Sequence, residues 1–255
     1  MIINMKVRIA AWNMAYWSHK KYHEEAWSYL LNDLDADILL FQEAIIPKVL
    51  RDDKNLIWHN AGESKGRREW GTGIYSKGYP LSEEPEESIP KWSIQRFKEL
   101  CTVANVKINE NNRLTLISLY GRIDRIGSIG YSIPNLHRII SDLTGILNGH
   151  INGKRKIVLG GDLNASVQCD QQWGGDAHRI FFDRINDFGL MNCFNPFHNG
   201  FVQTHRHKGS KINWQNDYLF ISSSISNKLI KCEVIDNDFV RKYSDHNPIF
   251  ITLEL

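Results

Sequence analysis

Apolar runs that stop abruptly at a polar residue recur along the chain, and they mark out its strands. Val7 to Trp12 is the first, ending at Asn13. Asp37 to Phe41 is a second, short and continuous as expected of a strand covered on both faces, and it leads into Gln42 and Glu43. Gly73 to Ser76 reads as another. Cys101 to Ile108 alternates and Arg113 to Leu119 is rich in β-formers. With Glu110-Asn111-Asn112 between them they predict a hairpin whose second arm ends at Tyr120-Gly121-Arg122. Ile157-Val158-Leu159-Gly160-Gly161 runs into a tight turn that delivers Asp162 and Asn164 to a sheet edge. Two late strands reverse the pattern and begin with the polar group: Asp217 to Ile221, and Ile249 to Leu253 after Ser244-Asp245-His246-Asn247-Pro248, where Pro248 suits a strand's first residue. Lys231 to Ile235 is a short strand between them.

Helical spacing fills the intervals. Ala26, Trp27, Leu30, Leu31 and Leu34 share one face, with Glu24 and Glu25 in the first turn where the helix dipole favours acids. Ser132 and Pro134 start a second helix with the stripe Leu136, Ile139, Ile140, Leu143 and Leu147. Asp176 is expected to cap a third, with Ile180, Phe181, Ile185 and Phe188 inward and Gly189 closing it. Strands alternating with helices predict an α/β protein, read as one domain over residues 1–255, with no internal repeat and no linker between domains.

Composition narrows the class. The chain has 255 residues, 42% hydrophobic and 24% charged, the balance of a globular protein. No segment reaches the ~18 apolar residues that cross a bilayer, and no export signal stands at Met1, so a cytoplasmic protein with no membrane partner is expected. Cys101, Cys169, Cys193 and Cys232 lie far apart without C-x-x-C spacing, which favours free thiols over a zinc site or disulfides. Most of the eight tryptophans are expected in the core. A net charge of +2 makes phosphate recognition a local matter. Two basic loops are candidates for it: the one holding Arg67, Arg68 and Trp70, and the one holding Arg206 and Lys208, with Arg122 beside Tyr120. The acidic run from Glu83 to Glu87 belongs away from any anionic substrate.

Asn13, Glu43, Tyr120 and Asp162 with Asn164 stand at strand ends, whereas Asp217 and Asp245 with His246 stand at strand starts. If the last two strands run antiparallel to the others, a mixed sheet gathers all of these groups at one edge. Glu43 and Asp245 supply oxygen to a hard cation, and there is no Cys or His pair to select zinc, so Mg²⁺ or Mn²⁺ is the expected cofactor. Asp217 is the candidate partner for His246, fixing its tautomer and favouring its charged form. Asp162, beside Asn164, is the candidate for orienting or deprotonating an attacking water. The set describes metal-assisted hydrolysis of a phosphate ester without a covalent intermediate.

At these residues the chain resembles the endonuclease/exonuclease/phosphatase superfamily. The resemblance runs through Trp12-Asn13, Gln42-Glu43, Gly161-Asp162-Leu163-Asn164 and Asp217-Tyr218 to Ser244-Asp245-His246-Asn247-Pro248, nearly the full length. It implies a four-layer α/β sandwich of two packed mixed β-sheets flanked by helices, with divalent-metal dependence. By the resemblance Glu43 and Asn13 sit at the metal with Asp245 at or near it, Asp162 and Asn164 beside the nucleophilic water, Asp217 with His246, and Tyr120 against the phosphate. The repair enzymes of the superfamily usually carry a second polar residue two places after the first Asn, and here it is Ala15. They also favour Thr-Lys after Gln-Glu and a basic-Ile pair before the late Asp, where this chain has Ala44-Ile45 and Gln215-Asn216. Abasic-site repair is therefore not the first expectation. A nuclease acting on DNA or RNA is, with a phosphatase or phosphodiesterase for a small phosphorylated molecule as the alternative.

Overall fold

Residues 5–60, 70–83, 98–126, 129–151 and 155–255 are described by the computed structural model. Two six-stranded mixed sheets pack face to face with helices on their outer sides. The first sheet has the order β13 (Leu229–Val234), β14 (Ile249–Glu254), β1 (Lys6–Asn13), β2 (Ile38–Ala44), β4 (Gly71–Ser76), β3 (Leu56–Asn60). The second has the order β11 (Leu190–Asn192), β12 (Asp217–Ser222), β10 (Ile157–Asp162), β7 (Asn112–Leu119), β6 (Cys101–Asn109), β5 (Leu81–Glu83). A small ribbon of β8 (Asp124–Ile126) and β9 (Ile129–Tyr131) stands apart.

The sheets repeat one design. In the first, β1 runs parallel to β2 and antiparallel to β14; in the second, β10 runs parallel to β7 and antiparallel to β12. β1, β2 and β14 lie over β10, β7 and β12 respectively, so corresponding strands face each other. The expected antiparallel arrangement of the last strands is therefore present, but the strand ends meet across two sheets instead of along one.

Alternation explains why the central strands read as unbroken apolar runs. Val7, Ile9 and Ala11 of β1 face the inter-sheet core with Val158, Leu219, Ile249 and Ile251. Ala10 and Trp12 point the other way, onto the helix His23–Asn32 and Tyr243. On the outer side of the second sheet, Ile117, Leu159 and Phe220 pack beneath the helices Ile133–Asp142, Thr144–Ile151 and Ala177–Asp187.

Several details differ from the sequence expectations. The second helix breaks at Leu143 and resumes at Thr144, yet its whole stripe is buried. Asp176 occupies the N-cap position of Ala177–Asp187 without a side-chain cap bond, because its carboxylate pairs with Arg179 at 3.2 Å. Ile180 is 39% exposed, so the inward face carries Phe181 and Ile185 but not Ile180. Trp12 and Trp27 are buried as expected, whereas Trp173 is 71% exposed. The four cysteines are buried and free. Arg67, Arg68 and most of the acidic run after Glu83 lie outside the described residues.

Candidate active site

Where the parallel strand pairs of both sheets end, backbone geometry aims the polar side chains. The only non-glycine residues with left-handed φ among those described are Ala15 (45°), Glu43 (48°) and Asn164 (45°), all at or just beyond the ends of β1, β2 and β10. Such values are uncommon outside glycine and persist where surrounding contacts enforce them. Gly161 is a backbone requirement of another kind: φ is 141°, and a Cβ there would stand 2.2 Å from the Leu119 carbonyl oxygen and 2.6 Å from Gln42 Nε2. Only glycine fits between β7, β10 and the Gln42 amide.

All the expected residues but Asp245 form one network of hydrogen bonds and a close ion contact, and the Asp245 carboxylate borders it 3.9 Å from His205. Asn13 Nδ2 donates to Asp162 Oδ2 (2.8 Å) and to Glu43 Oε1 (3.0 Å), joining the two sheets. Tyr120 OH donates to the same Glu43 oxygen at 2.7 Å. Asn164 donates its backbone N–H to Asp162 Oδ1 (2.8 Å) and its side-chain amide to Oδ2 (2.9 Å). Asp162 and Asp217 face each other across the β10–β12 pair, an arrangement that like charges disfavour. His246 relieves it: Nδ1 lies 2.9 and 3.2 Å from the Asp217 oxygens, and Nε2 lies 3.8 Å from Asp162 Oδ2.

Charge follows from this placement. Burial opposes protonation of His246, but Asp217 and Asp162 outweigh it and raise the ring to about 10, making it an imidazolium at neutral pH. Burial lifts the Asp162 carboxyl to about 7; His246 opposes the rise, and Asp217 and Glu43 add to it. Of the two, the proton stays on His246, which has a carboxylate at each nitrogen. Tyr120 is pushed well above its ordinary value by burial and by Glu43, so its hydroxyl remains a donor. Burial also acts to raise Asp245, but His246 and His205 outweigh it and hold the carboxyl below the usual range.

Residues to which the sequence alone gives no role of their own hold this network in place. Thr204 Oγ1 accepts from the backbone N–H groups of Asn216 and Asp217, both at 3.0 Å. Ser244 Oγ donates to the Asn13 carbonyl (2.7 Å) and accepts from His246 N (3.0 Å), while Trp12 Nε1 donates to the His246 carbonyl (3.1 Å). Gln42 Oε1 accepts from Asp162 N at 3.3 Å, and its amide donates to Ser118 Oγ at 2.9 Å. Nothing local in the sequence marks Thr204. Ser244 and Gln42, by contrast, lie inside motifs already singled out for their neighbours.

The expected substrate contacts divide. Trp70 packs edge-on against the Tyr120 ring at 5.2 Å and so braces it. Arg122 pairs with Asp124 at 3.0 Å. Arg206 differs from expectation: its guanidinium bonds to Asn247 Oδ1 and the Ser244 carbonyl and lies 3.6 Å from Asp236, which ties down the turn before β14. Lys208 is exposed on the same loop.

A metal would fit the donor chemistry. Asp162, Asp217 and His246 are the described His, Cys, Asp or Glu side chains whose ligand atoms lie within 4.8 Å of one another. An imidazolium is no ligand, however, and His246 already acts as the cation between those two acids. Glu43 offers more, since both of its hydrogen bonds end on Oε1 and none among the described residues reaches Oε2. Asp217, Asp162 and Asp245 all act on the His246 imidazolium, and Glu43 joins Asp162 through Asn13, so four carboxylates surround one cation, an excess of negative charge that suits a divalent ion.

The sequence matches no family model and no curated protein. Solved structures do match. The endonuclease domain of TRAS1, a telomere-specific non-LTR retrotransposon, is similar with TM-score 0.64 and 18% identity over 98% of this chain and 99% of that one. The AP endonuclease LMAP from Leishmania major is similar with TM-score 0.71 and 14% identity, covering 98% and 88%. The 3'-5' exonuclease NExo from Neisseria meningitidis is similar with TM-score 0.69 and 17% identity, covering 98% and 100%. At these identities the likeness establishes the fold alone, a four-layer α/β sandwich of two packed mixed sheets shared with those proteins.

Proposed function

We propose that residues 1–255 form a single catalytic domain, a Mg²⁺- or Mn²⁺-dependent phosphodiesterase that cleaves nucleic acid. One observation carries the reading: Asn13, Glu43, Tyr120, Asp162, Asn164, Asp217 and His246, drawn from both sheets, meet in one bonded network. Solved proteins of the same fold that are named as endonucleases and an exonuclease support the substrate class. Among the described residues no helix is long and apolar enough to cross a membrane, and the four buried free thiols suit the reducing cytoplasm in which we place the protein.

Glu43 would hold the metal, with Asn13 beside it and Asp245 at or near it. A divalent cation held there would supply charge neutralisation at a phosphoryl oxygen. The chain's own residues do the rest. Asp162, both of whose oxygens are held by Asn164, orients a water or takes its proton. His246, kept charged and held at Nδ1 by Asp217, presents Nε2–H to the negative charge that grows on the phosphate as the bond to the leaving oxygen breaks. Tyr120 keeps its hydroxyl proton and can transfer that hydrogen bond from Glu43 to a phosphate oxygen.

The test is hydrolysis by the purified protein with Mg²⁺ of DNA, RNA, cyclic dinucleotides and inositol phosphates, run alongside charge reversal at Arg67, Arg68 and Lys208. Loss of oligonucleotide binding with a flatter salt dependence, about one unit of log-log slope per lost phosphate contact, supports nucleic acid. Equal loss on a small chromogenic phosphodiester, or no oligonucleotide binding at all, transfers the reading to a small phosphorylated molecule, which the net charge of only +2 favours.

A further inference from the structure

Behind His246 lies a second imidazole that belongs to none of the motifs. His205 stacks on His246 with ring centroids 4.4 Å apart and planes 15° from parallel. Its backbone is fixed on both sides: it makes bridges to Trp214 and to His246, and its N–H donates to the Trp214 carbonyl at 3.0 Å. The next residue, Arg206, donates its N–H to the Asp245 carbonyl at 2.8 Å. The ring itself is oriented. Asn216 Nδ2 donates to His205 Nδ1 at 3.1 Å, which leaves the proton on Nε2, and Nε2 faces Asp245 Oδ2 at 3.9 Å. One side chain thus touches two neighbouring members of the site through two different parts of its ring.

We propose that His205 is a positioning residue of the site, holding the plane of the His246 ring by stacking and steering the Asp245 carboxylate with its Nε2–H. Asp217 grips His246 only at Nδ1, and a ring held at one edge can still tilt about that edge. A flat partner on its face removes the tilt and keeps Nε2 directed at Asp162, 3.8 Å away. Asp245, with a side chain 34% exposed, has His205 as its nearest described cationic or imidazole neighbour. The Nε2–H of His205 therefore biases which way the carboxylate turns. The effect on turnover rests on reading the site as hydrolytic; the effect on the His246 ring does not.

The experiment compares His205→Ala, His205→Phe and His205→Gln with wild type by two readouts. The first is the downfield Nδ1–H proton resonance of His246 in the metal-free protein, whose exchange reports how firmly the ring is held on Asp217. It should persist in His205→Phe, which keeps the stack, and broaden away in His205→Ala and His205→Gln. The second is kinetics on a small chromogenic phosphodiester. His205→Ala should lose about 10- to 100-fold in kcat with KM little changed, the scale on which a misplaced catalytic group is felt. His205→Phe should recover most of that rate but need several-fold more Mg²⁺ for half-activation, because Asp245 has lost the polar Nε2–H that faces it at 3.9 Å. An unchanged resonance in both His205→Ala and His205→Gln would overturn the proposal, and so would a rate loss that follows the folded fraction in thermal melts. If His205→Ala does not fold, identical resonances in the Phe and Gln variants have the same overturning force. A wild type that hydrolyses nothing refutes the hydrolase reading alone, because the resonance still decides the role of His205.

Discussion

Replacing His246 by glutamine should flatten the alkaline side of the stability profile of the metal-free protein. The folded ring holds its proton up to about pH 10, whereas an unfolded histidine releases it near 6.5. Across that window the native state binds one more proton than the unfolded chain. The stabilisation is therefore complete below the unfolded value and is lost as pH rises through the folded one. Each unit is worth about 1.36 kcal/mol, so the loss amounts to roughly 5 kcal/mol over the window. The source is physical contact: Asp217 at 2.9 Å and Asp162 at 3.8 Å, with the ring only 5% exposed and little solvent to screen them. The assay is urea unfolding in EDTA at steps from about pH 7.5 to 10. Starting there excludes Asp162, whose own rise ends at about 7. Burial raises the thiols of Cys101, Cys169, Cys193 and Cys232, so both proteins lose stability as pH passes 9, and the readout is the difference: wild type should lose about 1.4 kcal/mol per pH unit more than His246→Gln. Parallel profiles for the two proteins would mean that His246 is not charged in the native state.

Three further outcomes are expected. Glu43→Ala should abolish Mg²⁺-dependent hydrolysis while circular dichroism and the melt stay close to wild type; turnover surviving both EDTA and this change would remove the metal assignment. Asp217→Asn and His246→Ala should each cost on the order of 10²- to 10⁴-fold in rate, with the double variant little worse, because a unit fails once. Rate losses that multiply would show that the two act independently. Gly161→Ala should destabilise the fold by several kcal/mol, since its Cβ has no room beside the Leu119 carbonyl at 2.2 Å and φ is 141°; an unchanged urea midpoint would show that the strands can part there at little cost.

The strands were legible because the central ones are covered on both faces, so Val7–Trp12 and Ile157–Leu159 leave unbroken apolar marks in the sequence. Their polar termini were legible for the related reason that a strand end is where a polar side chain reaches open space. The sequence could not show that the ends belong to two stacked sheets, since strand order depends on contacts between residues more than a hundred positions apart, such as Asn13 with Asp162. Arg206 follows the same cause: its partners Asp236, Ser244 and Asn247 come from distant turns and give a basic loop residue a bracing role that its sequence neighbours do not show. Thr204 and His205 act through backbone and ring contacts that follow no periodicity. The short helix Val167–Trp173 was not anticipated. Its one local sign is Ser166, whose hydroxyl accepts from Gln168 N as an N-cap.

Because Asn13 belongs to one sheet and Asp162 to the other, the 2.8 Å hydrogen bond between their side chains depends on how far apart the two sheets lie. That spacing is set by the apolar residues packed between β1 and β10 and their neighbours, among them Ala11, Val158 and Leu219. Core volume is then a functional variable in this molecule. A methylene added or removed deep in the sandwich, far from any substrate, re-spaces donor and acceptor across the gap by tenths of an ångström. The chemistry would register such a change at a stability cost that leaves the fold intact, and random substitutions that slow the protein should map to its interior as well as to its cleft.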